Sequence, residues 1–307
     1  MASAVPEDPD RVTVFAPAKI NLFLHVGGMR GDGYHALQSL VAFAEAGDVI
    51  RAVRGDDLSL VMDGPFAGTL MGEKENLVLR AARSLAAGTC VASGAQLALT
   101  KNLPVASGIG GGSADAAACL RALWQLWRLE DAPQVTRAAL EQAAIETGSD
   151  VPVCLLSGAA LMEGRGEVVT ALPELPLAAM VLVNPRVAVP TGPVFARLKA
   201  RSGVGDMAVP SGFADVEALV EFLADVRNDL QAPALEIAPV IRDVLAALSA
   251  QGALLARMCG SGATCYALFA DDAAAARAAQ NVQQHNPGWW VCATRIASNS
   301  IGAPRSF

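Results

Sequence analysis

The sequence predicts an α+β protein with two domains, residues 1–172 and 173–307. Short runs of β-branched and aromatic residues dominate the first half, and helical segments are inserted between them. In the second half, strands and helices alternate around a hairpin, which is typical of a ferredoxin-like unit. Pro173 and Pro176 lie where the pattern changes and mark the boundary. We therefore expect a strand-rich N-terminal domain followed by a C-terminal ferredoxin-like domain.

The elements of the first domain follow from residue type and turn residues. β-branched and aromatic runs predict strands at 11–15, 20–26, 48–53, 58–62 and 95–100, and a closing hairpin of 158–163 with 167–170. Strong helix formers predict helices at 76–87, 113–123 and 134–146. Pro17 cannot donate a ladder hydrogen bond, so we expect it to separate the first two strands.

The second domain shows the same signals in a regular alternation. The predicted strands and helices are strands at 179–183, 254–258, 264–269 and 289–293, and helices at 239–251 and 273–284. Residues 201–214 are rich in Gly, Ser and Pro, which predicts a surface loop.

Composition restricts the class of protein. A length of 307 residues with 53% hydrophobic residues suits two packed domains, and a net charge of −7 argues against a nucleic-acid partner. No apolar run approaches the roughly 20 residues of a membrane-spanning helix, and the acidic N-terminus resembles neither a signal nor a transit peptide. The six cysteines form no C-x-x-C pair, so they predict reduced core residues. We expect a soluble, cytoplasmic protein without a membrane or nucleic-acid partner.

A glycine loop at residues 103–117 organises the predicted chemistry. Three consecutive glycines remove the Cβ atoms that would keep a ligand off the backbone, and Ser113 is a good N-cap for the helix that follows. A loop that ends on a helix N-terminus favours a phosphate group; the alternative is a flexible turn before a helix. The sequence has no Gly-Lys pair for a P-loop, and Ser113 replaces the third glycine of a dinucleotide fingerprint.

Three further positions each allow two interpretations. Lys19 begins a strand, where a solvated surface lysine is the more common case. Asp150 could cap a short helix whose first turn holds Pro152, or it could act in catalysis. Tyr34 and His35 follow a glycine-rich loop, where Tyr34 could contact a ligand or pack as a half-buried strand residue.

Three motifs together resemble those of the small-molecule kinases that include galactokinase, homoserine kinase and mevalonate kinase, the GHMP family. The motifs are residues 17–22 (Pro-Ala-Lys-Ile-Asn-Leu), the glycine loop and residues 260–263 (Gly-Ser-Gly-Ala). Residues 31–35 and 148–152 make the chain similar to family members that phosphorylate a cytidyl sugar alcohol. The resemblance implies an N-terminal mixed-sheet domain with a left-handed βαβ unit, a handedness opposite to the general rule.

The resemblance also implies an activity and site residues. It implies phosphoryl transfer from ATP, accompanied by Mg²⁺, to the 2-hydroxyl of a methylerythritol moiety, with Asp150 as catalytic base and Lys19 as its positively charged neighbour. The implied ATP-binding residues are Pro104, Val105, Ala106, Ser107, Gly108, Ile109, Gly110, Gly111, Gly112, Ser113 and Ala114. The implied substrate-binding residues are Asn21, Tyr34, His35 and Thr191. Metal ligands stay unassigned, and the acting unit is expected to be a monomer or a homodimer.

Two other functions remain open at this point. One is a different kinase of the same family, specific for homoserine or mevalonate. The other is a catalytically inactive sensor that binds ATP and a sugar. Tyr34 and His35 favour a nucleobase over a small amino acid, and the presence of both Lys19 and Asp150 argues against a sensor.

Overall fold

The computed structural model describes residues 10–29, 31, 33, 35–70, 75–89, 94–131, 137–198 and 207–303. Two sheets organise these residues: a seven-stranded sheet in the first half and a four-stranded sheet in the second. The first sheet ends at Ala171 and the second begins at Ala179. The division into domains 1–172 and 173–307 stays a prediction.

The first sheet and its helices contain most of the predicted elements. Its strands are β1 (Arg11–Asn21), β2 (His25–Met29), β3 (His35–Gly55), β4 (Leu58–Asp63), β5 (Gly94–Thr100), β6 (Ala160–Gly164) and β7 (Val168–Ala171). The helices of this half are α1 (Leu77–Thr89), α2 (Gly111–Leu126), α3 (Arg137–Thr147) and α4 (Val151–Leu156). Helix α2 is buried along most of its length and packs against β1, β3 and α1.

The prediction that Pro17 separates two strands is wrong. Strand β1 runs through Pro17, and its antiparallel pairing with β3 shifts register between Pro17 and Lys19. This shift is a β-bulge. It accommodates proline, which has no N–H to donate, so the strand continues through Pro17. Strand β3 is correspondingly longer than predicted, because it pairs with β1 on both sides of the shift.

Strands β4 and β5 form a parallel pair within an otherwise antiparallel sheet, and α1 lies between them in the chain. The mixed sheet and the β4–α1–β5 crossover confirm the predicted architecture of this half. The left-handed sense of that crossover stays a prediction.

The second half has the predicted ferredoxin-like order. Its elements are β8 (Ala179–Asn184), α5 (Thr191–Ala196), α6 (Val216–Ala224), α7 (Gln231–Ile237), α8 (Val240–Ala250), β9 (Leu255–Met258), β10 (Cys265–Phe269), α9 (Asp272–His285) and β11 (Trp290–Arg295). The strands lie in the order β11-β8-β10-β9, all antiparallel, as a split βαβ arrangement requires. Residues 201–206 of the predicted surface loop lie outside the described residues.

The two sheets meet around the segment that follows β1. The backbone oxygen of Leu22 accepts hydrogen bonds from the Tyr266 hydroxyl, at 2.6 Å, and from the Arg257 guanidinium, at 2.8 Å. After β11 the chain returns to the first sheet, where the N–H of Ala297 donates to the oxygen of Phe43. One hydrophobic cluster contains residues of both halves, among them Ile20 and Leu182. The cleft between the sheets is thus held by buried contacts.

Two sequence-based expectations concern composition. Five of the six cysteines lie in the described ranges, and all five are free thiols, whereas Cys90 lies outside those ranges. None of the helices in the described parts of the chain combines the length and hydropathy needed to cross a bilayer.

Candidate active site

The glycine loop places the N-terminus of α2 at the cleft. Gly110 has φ of 62° and precedes the first helical residue, and the N–H of Ala114 makes a helical bond to the oxygen of Gly110. The N–H groups of residues 111–113 therefore have no partner within the helix and are suited to bind an anion. The predicted N-cap at Ser113 is wrong: the cap is Gly110, because a glycine adopts this left-handed conformation without strain.

The glycines serve the packing of the loop as much as access to the backbone. A Cβ added at Gly111 would lie 3.0 Å from Lys101 Nζ, beneath the loop. A Cβ added at Gly110 would lie 3.1 Å from the side chain of Lys19. The expectation that these glycines mainly clear space for a ligand is therefore incomplete, since both close approaches are to the protein itself.

The second half of the chain holds the loop from its other side. The oxygen of Ser107 accepts from the N–H of Thr264 at 3.1 Å, and the Cys259 thiol donates to the oxygen of Gly108 at 3.3 Å. Gly260 and Ser261, from the third sequence motif, line a cavity between the two halves of the chain, and residues of the loop line the same cavity. The glycine loop is therefore anchored by both halves of the chain.

Lys19 and Asp150 form an ion pair in the cleft. Lys19 Nζ donates to Asp150 Oδ2 at 2.8 Å, and the Lys19 side chain is 5% exposed while that of Asp150 is 34% exposed. Burial lowers the pKa of Lys19, but the charge of Asp150 and this hydrogen bond raise it, and the net pKa lies above the ordinary value. Lys19 is therefore a charged, buried residue and not a solvated surface lysine.

Asp150 occupies the N-cap position of α4 but does not cap it with its side chain. Pro152 lies in the first turn, as predicted, and provides the preset backbone angle of a helix start. The carboxylate is directed to Lys19, 131 residues away in sequence, and its remaining surface faces the cavity. The geometry therefore favours the catalytic interpretation over the capping one.

A single cavity of about 860 Å³ brings most of the predicted site residues together. Of the predicted ATP-binding residues, those that line it are Pro104, Ala106, Ser107, Gly108, Gly110, Gly111, Gly112 and Ser113. The cavity does not contact Val105, Ile109 or Ala114. Ile109 and Ala114 are buried in the two hydrophobic clusters that flank the loop, so those side chains serve the fold.

The predicted substrate residues lie on the same cavity, with one exception. Asn21, His35 and Thr191 line it, whereas Tyr34 lies outside the described residues. The Asn21 amide donates to the Ser39 hydroxyl at 2.8 Å, which fixes its orientation. The Thr191 hydroxyl lies 3.0 Å from the hydroxyl of Ser261, which also lines the cavity.

Sequence reasoning missed Phe195, which also lines the cavity. Its ring stacks on that of His35, with centroids 5.5 Å apart and planes inclined by 19°. Phe195 follows Thr191 by four residues on helix α5, so a spacing that puts both on one helix face was available as a signal. The pair gives the cavity an aromatic surface beside polar groups.

The comparisons with known proteins agree with this geometry. Residues 76–158 match the GHMP kinases N terminal domain, and residues 212–288 match the GHMP kinases C terminal domain. A 4-diphosphocytidyl-2-C-methyl-D-erythritol kinase of Cereibacter sphaeroides is 52% identical over 284 residues, covering 92% of this chain and 98% of that protein. The chain belongs to the GHMP kinase family. The prediction of a small-molecule kinase of this family is thereby confirmed.

One further relative and two solved structures are also similar to this GHMP kinase. The kinase of the same name from Ruegeria pomeroyi is 50% identical over 93% of this chain and 99% of that protein. A crystal structure of 4-(cytidine 5'-diphospho)-2C-methyl-D-erythritol kinase matches with a TM-score of 0.74 and 31% identity, covering 93% of this chain and 100% of that one. A homoserine kinase from Cytophaga hutchinsonii shares the fold, with a TM-score of 0.65 at 17% identity over the whole of both chains.

Proposed function

We propose that this GHMP kinase transfers the terminal phosphoryl group of ATP to the 2-hydroxyl of 4-diphosphocytidyl-2-C-methyl-D-erythritol, a step of the non-mevalonate route to isoprenoid precursors. The observation that carries the proposal is the Asp150 carboxylate, held by buried Lys19 in the cavity lined by the glycine loop. The acceptor follows from the relatives of that name at about half sequence identity.

The chemistry assigned to these groups is in-line phosphoryl transfer. The acceptor oxygen forms a bond to the γ-phosphorus, the bond from that phosphorus to the bridging oxygen breaks, and ADP leaves. Asp150 accepts the proton of the acceptor hydroxyl, and Lys19 stabilises negative charge near the reacting oxygens. The N–H groups of residues 111–113 and the dipole of α2 hold the phosphates, so the protein acts mainly through positioning and charge.

Mg²⁺ fits the site as a companion of the nucleotide. The described residues contain no group of three or more His, Cys, Asp or Glu side chains that could hold a metal by themselves. Asp150 and Ser113 offer oxygen atoms on the cavity wall, and Mg²⁺ is commonly held by one or two protein oxygens together with substrate phosphates. When bound, the ion neutralises charge on the phosphates.

Recognition of the acceptor is assigned to the polar and aromatic part of the cavity wall. Phe195 offers a ring face for a cytosine, and His35 has ring nitrogens that can donate to or accept from a base edge. Asn21 and Thr191 add an amide and a hydroxyl, and the proposal includes Tyr34 as a further acceptor-binding residue. Arg165 also lines the cavity and supplies a positive charge suited to the diphosphate of the acceptor.

The remaining parts of the proposal concern the oligomeric state and the cellular compartment. We propose a monomer or a homodimer as the acting unit. The five described free thiols and ATP as donor suit the reducing cytoplasm, where we place the reaction.

The test is ADP release measured with ATP and a panel of acceptors, with product identity determined by mass spectrometry. We expect turnover with the cytidyl methylerythritol and poor turnover with methylerythritol phosphate, because remote binding energy positions the reacting hydroxyl. Equal turnover with homoserine or mevalonate would leave the kinase family and reject this acceptor. Binding of ATP without turnover of any acceptor would instead favour a sensor.

A further inference from the structure

A buried cluster of ionisable side chains lies directly beneath the glycine loop. Lys101 Nζ donates to Asp48 Oδ2 and, at 2.7 Å, to Asp115 Oδ2. Lys101 and Asp115 are each 2% exposed and Asp48 is fully buried. None of the three lines the cavity, so the cluster does not contact the ligands directly.

The cluster joins the two ends of the loop. Asp48 Oδ1 accepts the backbone N–H of Asn102, at 2.5 Å, and of Leu103, at 2.8 Å, where the loop begins. Asp115 is the fifth residue of α2, the helix with which the loop ends. Lys101 bonds to both carboxyl groups, so the start of the loop and the helix at its end are fixed through one ammonium group.

Lys101 also packs against Gly111, which is a third position where the cluster contacts the loop. Lys101 Nζ lies 3.0 Å from the position that a Cβ of Gly111 would take, so the first residue of α2 rests against the ammonium group. Gly111 also provides one of the N–H groups that have no partner within the helix. A movement of Lys101 would therefore shift the anion-binding end of α2.

We propose that Lys101, with Asp48 and Asp115, is a positioning residue that holds the nucleotide loop in its phosphate-binding geometry. This inference deepens the proposed function and rests on it. A buried ion pair by itself is weak evidence for a stabilising role, since an apolar replacement of the whole cluster could be equally stable. The geometric link to both loop ends is what assigns this cluster to nucleotide binding.

The experiment compares wild type with Lys101→Met, which keeps side-chain length and removes the ammonium group. We expect the KM for ATP to rise by at least about tenfold, the equivalent of about 1.4 kcal/mol, while the KM for the acceptor stays within about twofold. Amide hydrogen exchange of residues 102–114 in the nucleotide-free protein should become faster. A matched control is Asp271→Ala, which removes the cap of α9 far from the loop and lowers stability without changing the KM for ATP.

A folded Lys101→Met protein with an ATP KM within about twofold of wild type would overturn the proposal. If that variant does not fold, Asp48→Asn decides in the same way, because it keeps an acceptor oxygen for the two backbone N–H groups and loses the ion pair. Failure of both to fold would assign the cluster to overall folding and reject the specific role. Wild type that binds ATP but phosphorylates no acceptor contradicts the proposed function alone, since ATP affinity still reports on the cluster.

Discussion

At the scale of single residues, the Lys19–Asp150 pair carries the proposed chemistry. We predict that Asp150→Asn lowers kcat by at least about 10²-fold with little change in the KM for ATP, because a general base is lost while the loop is untouched. The fold should survive, since the Asp150 side chain makes no capping bond. Steady-state kinetics and a melting curve on the same preparation check this. Turnover close to wild type would leave Asp150 a structural role only.

Asp115 gives a prediction about pH. Burial, together with the charge of Asp48, raises the pKa of Asp115 to about 8, although Lys101 opposes the shift. Since the folded-state pKa lies above the ordinary value of 3.8, the stabilising contribution is complete below about pH 4 and is lost as the pH rises through about 8. Asp115→Asn removes this titration.

We therefore expect the free energy of unfolding of Asp115→Asn, relative to wild type, to rise by at least about 1.4 kcal/mol between pH 5 and pH 8, the equivalent of one pKa unit. Urea unfolding at several pH values measures the difference, and other titrating groups cancel in the comparison. Parallel pH curves for the two proteins would show that Asp115 is ionised throughout.

At the scale of elements, helix α5 supplies the aromatic wall. We predict that Phe195→Ala raises the KM for the cytidyl acceptor by roughly 5- to 150-fold, because stacking on a base contributes about 1–3 kcal/mol. The KM for ATP should stay within about twofold. Phe195→Tyr is the matched control and should behave like wild type, since it keeps the ring. An equal rise in both KM values would show that α5 shapes the whole cavity and does not select the acceptor.

The positions of the elements also show which parts of the fold could be predicted from the sequence. The loop, the hairpin of β6 and β7 and the βαββαβ order of the second half depend on local signals, and each lies close to its predicted place. The continuity of β1 through Pro17 depends on pairing with β3, which no local signal contains. The N-cap at Gly110 was misassigned because residue type favours Ser113, whereas backbone conformation decides the cap.

The chemical groups of the site could be predicted from the sequence, but the contacts between them could not. Motif resemblance named Lys19 and Asp150, yet residue type alone favoured a surface lysine and a capping aspartate. Their pairing joins β1 to the start of α4, and only the folded chain brings these elements together. Lys101 gave no sequence signal, because its role depends on two carboxylates from β3 and α2.

At the scale of the whole molecule, Arg257 joins the two halves. Its guanidinium is buried and donates to the backbone oxygens of Leu22, at 2.8 Å, Leu223, at 2.6 Å, and Val226, at 2.8 Å. Leu22 directly follows β1, whereas Leu223 lies in the last turn of α6 and Val226 lies two residues beyond the end of that helix. Each buried oxygen left without a donor costs about 1–3 kcal/mol.

We therefore predict that Arg257→Met lowers the free energy of unfolding by about 1–3 kcal/mol, because three buried oxygens lose a charged donor, while the oxygen of Leu22 keeps the Tyr266 hydroxyl and that of Leu223 keeps the N–H of Val226. Arg137→Met is the matched control: it removes an exposed pair with Glu141 on α3 and should change the free energy of unfolding by less than about 1 kcal/mol. Urea unfolding followed by circular dichroism and by tryptophan fluorescence measures both. Since the shared cluster spans both sheets, the two signals should move together in one transition. Two separate transitions, with only the later half of the chain affected, would show that the halves fold independently.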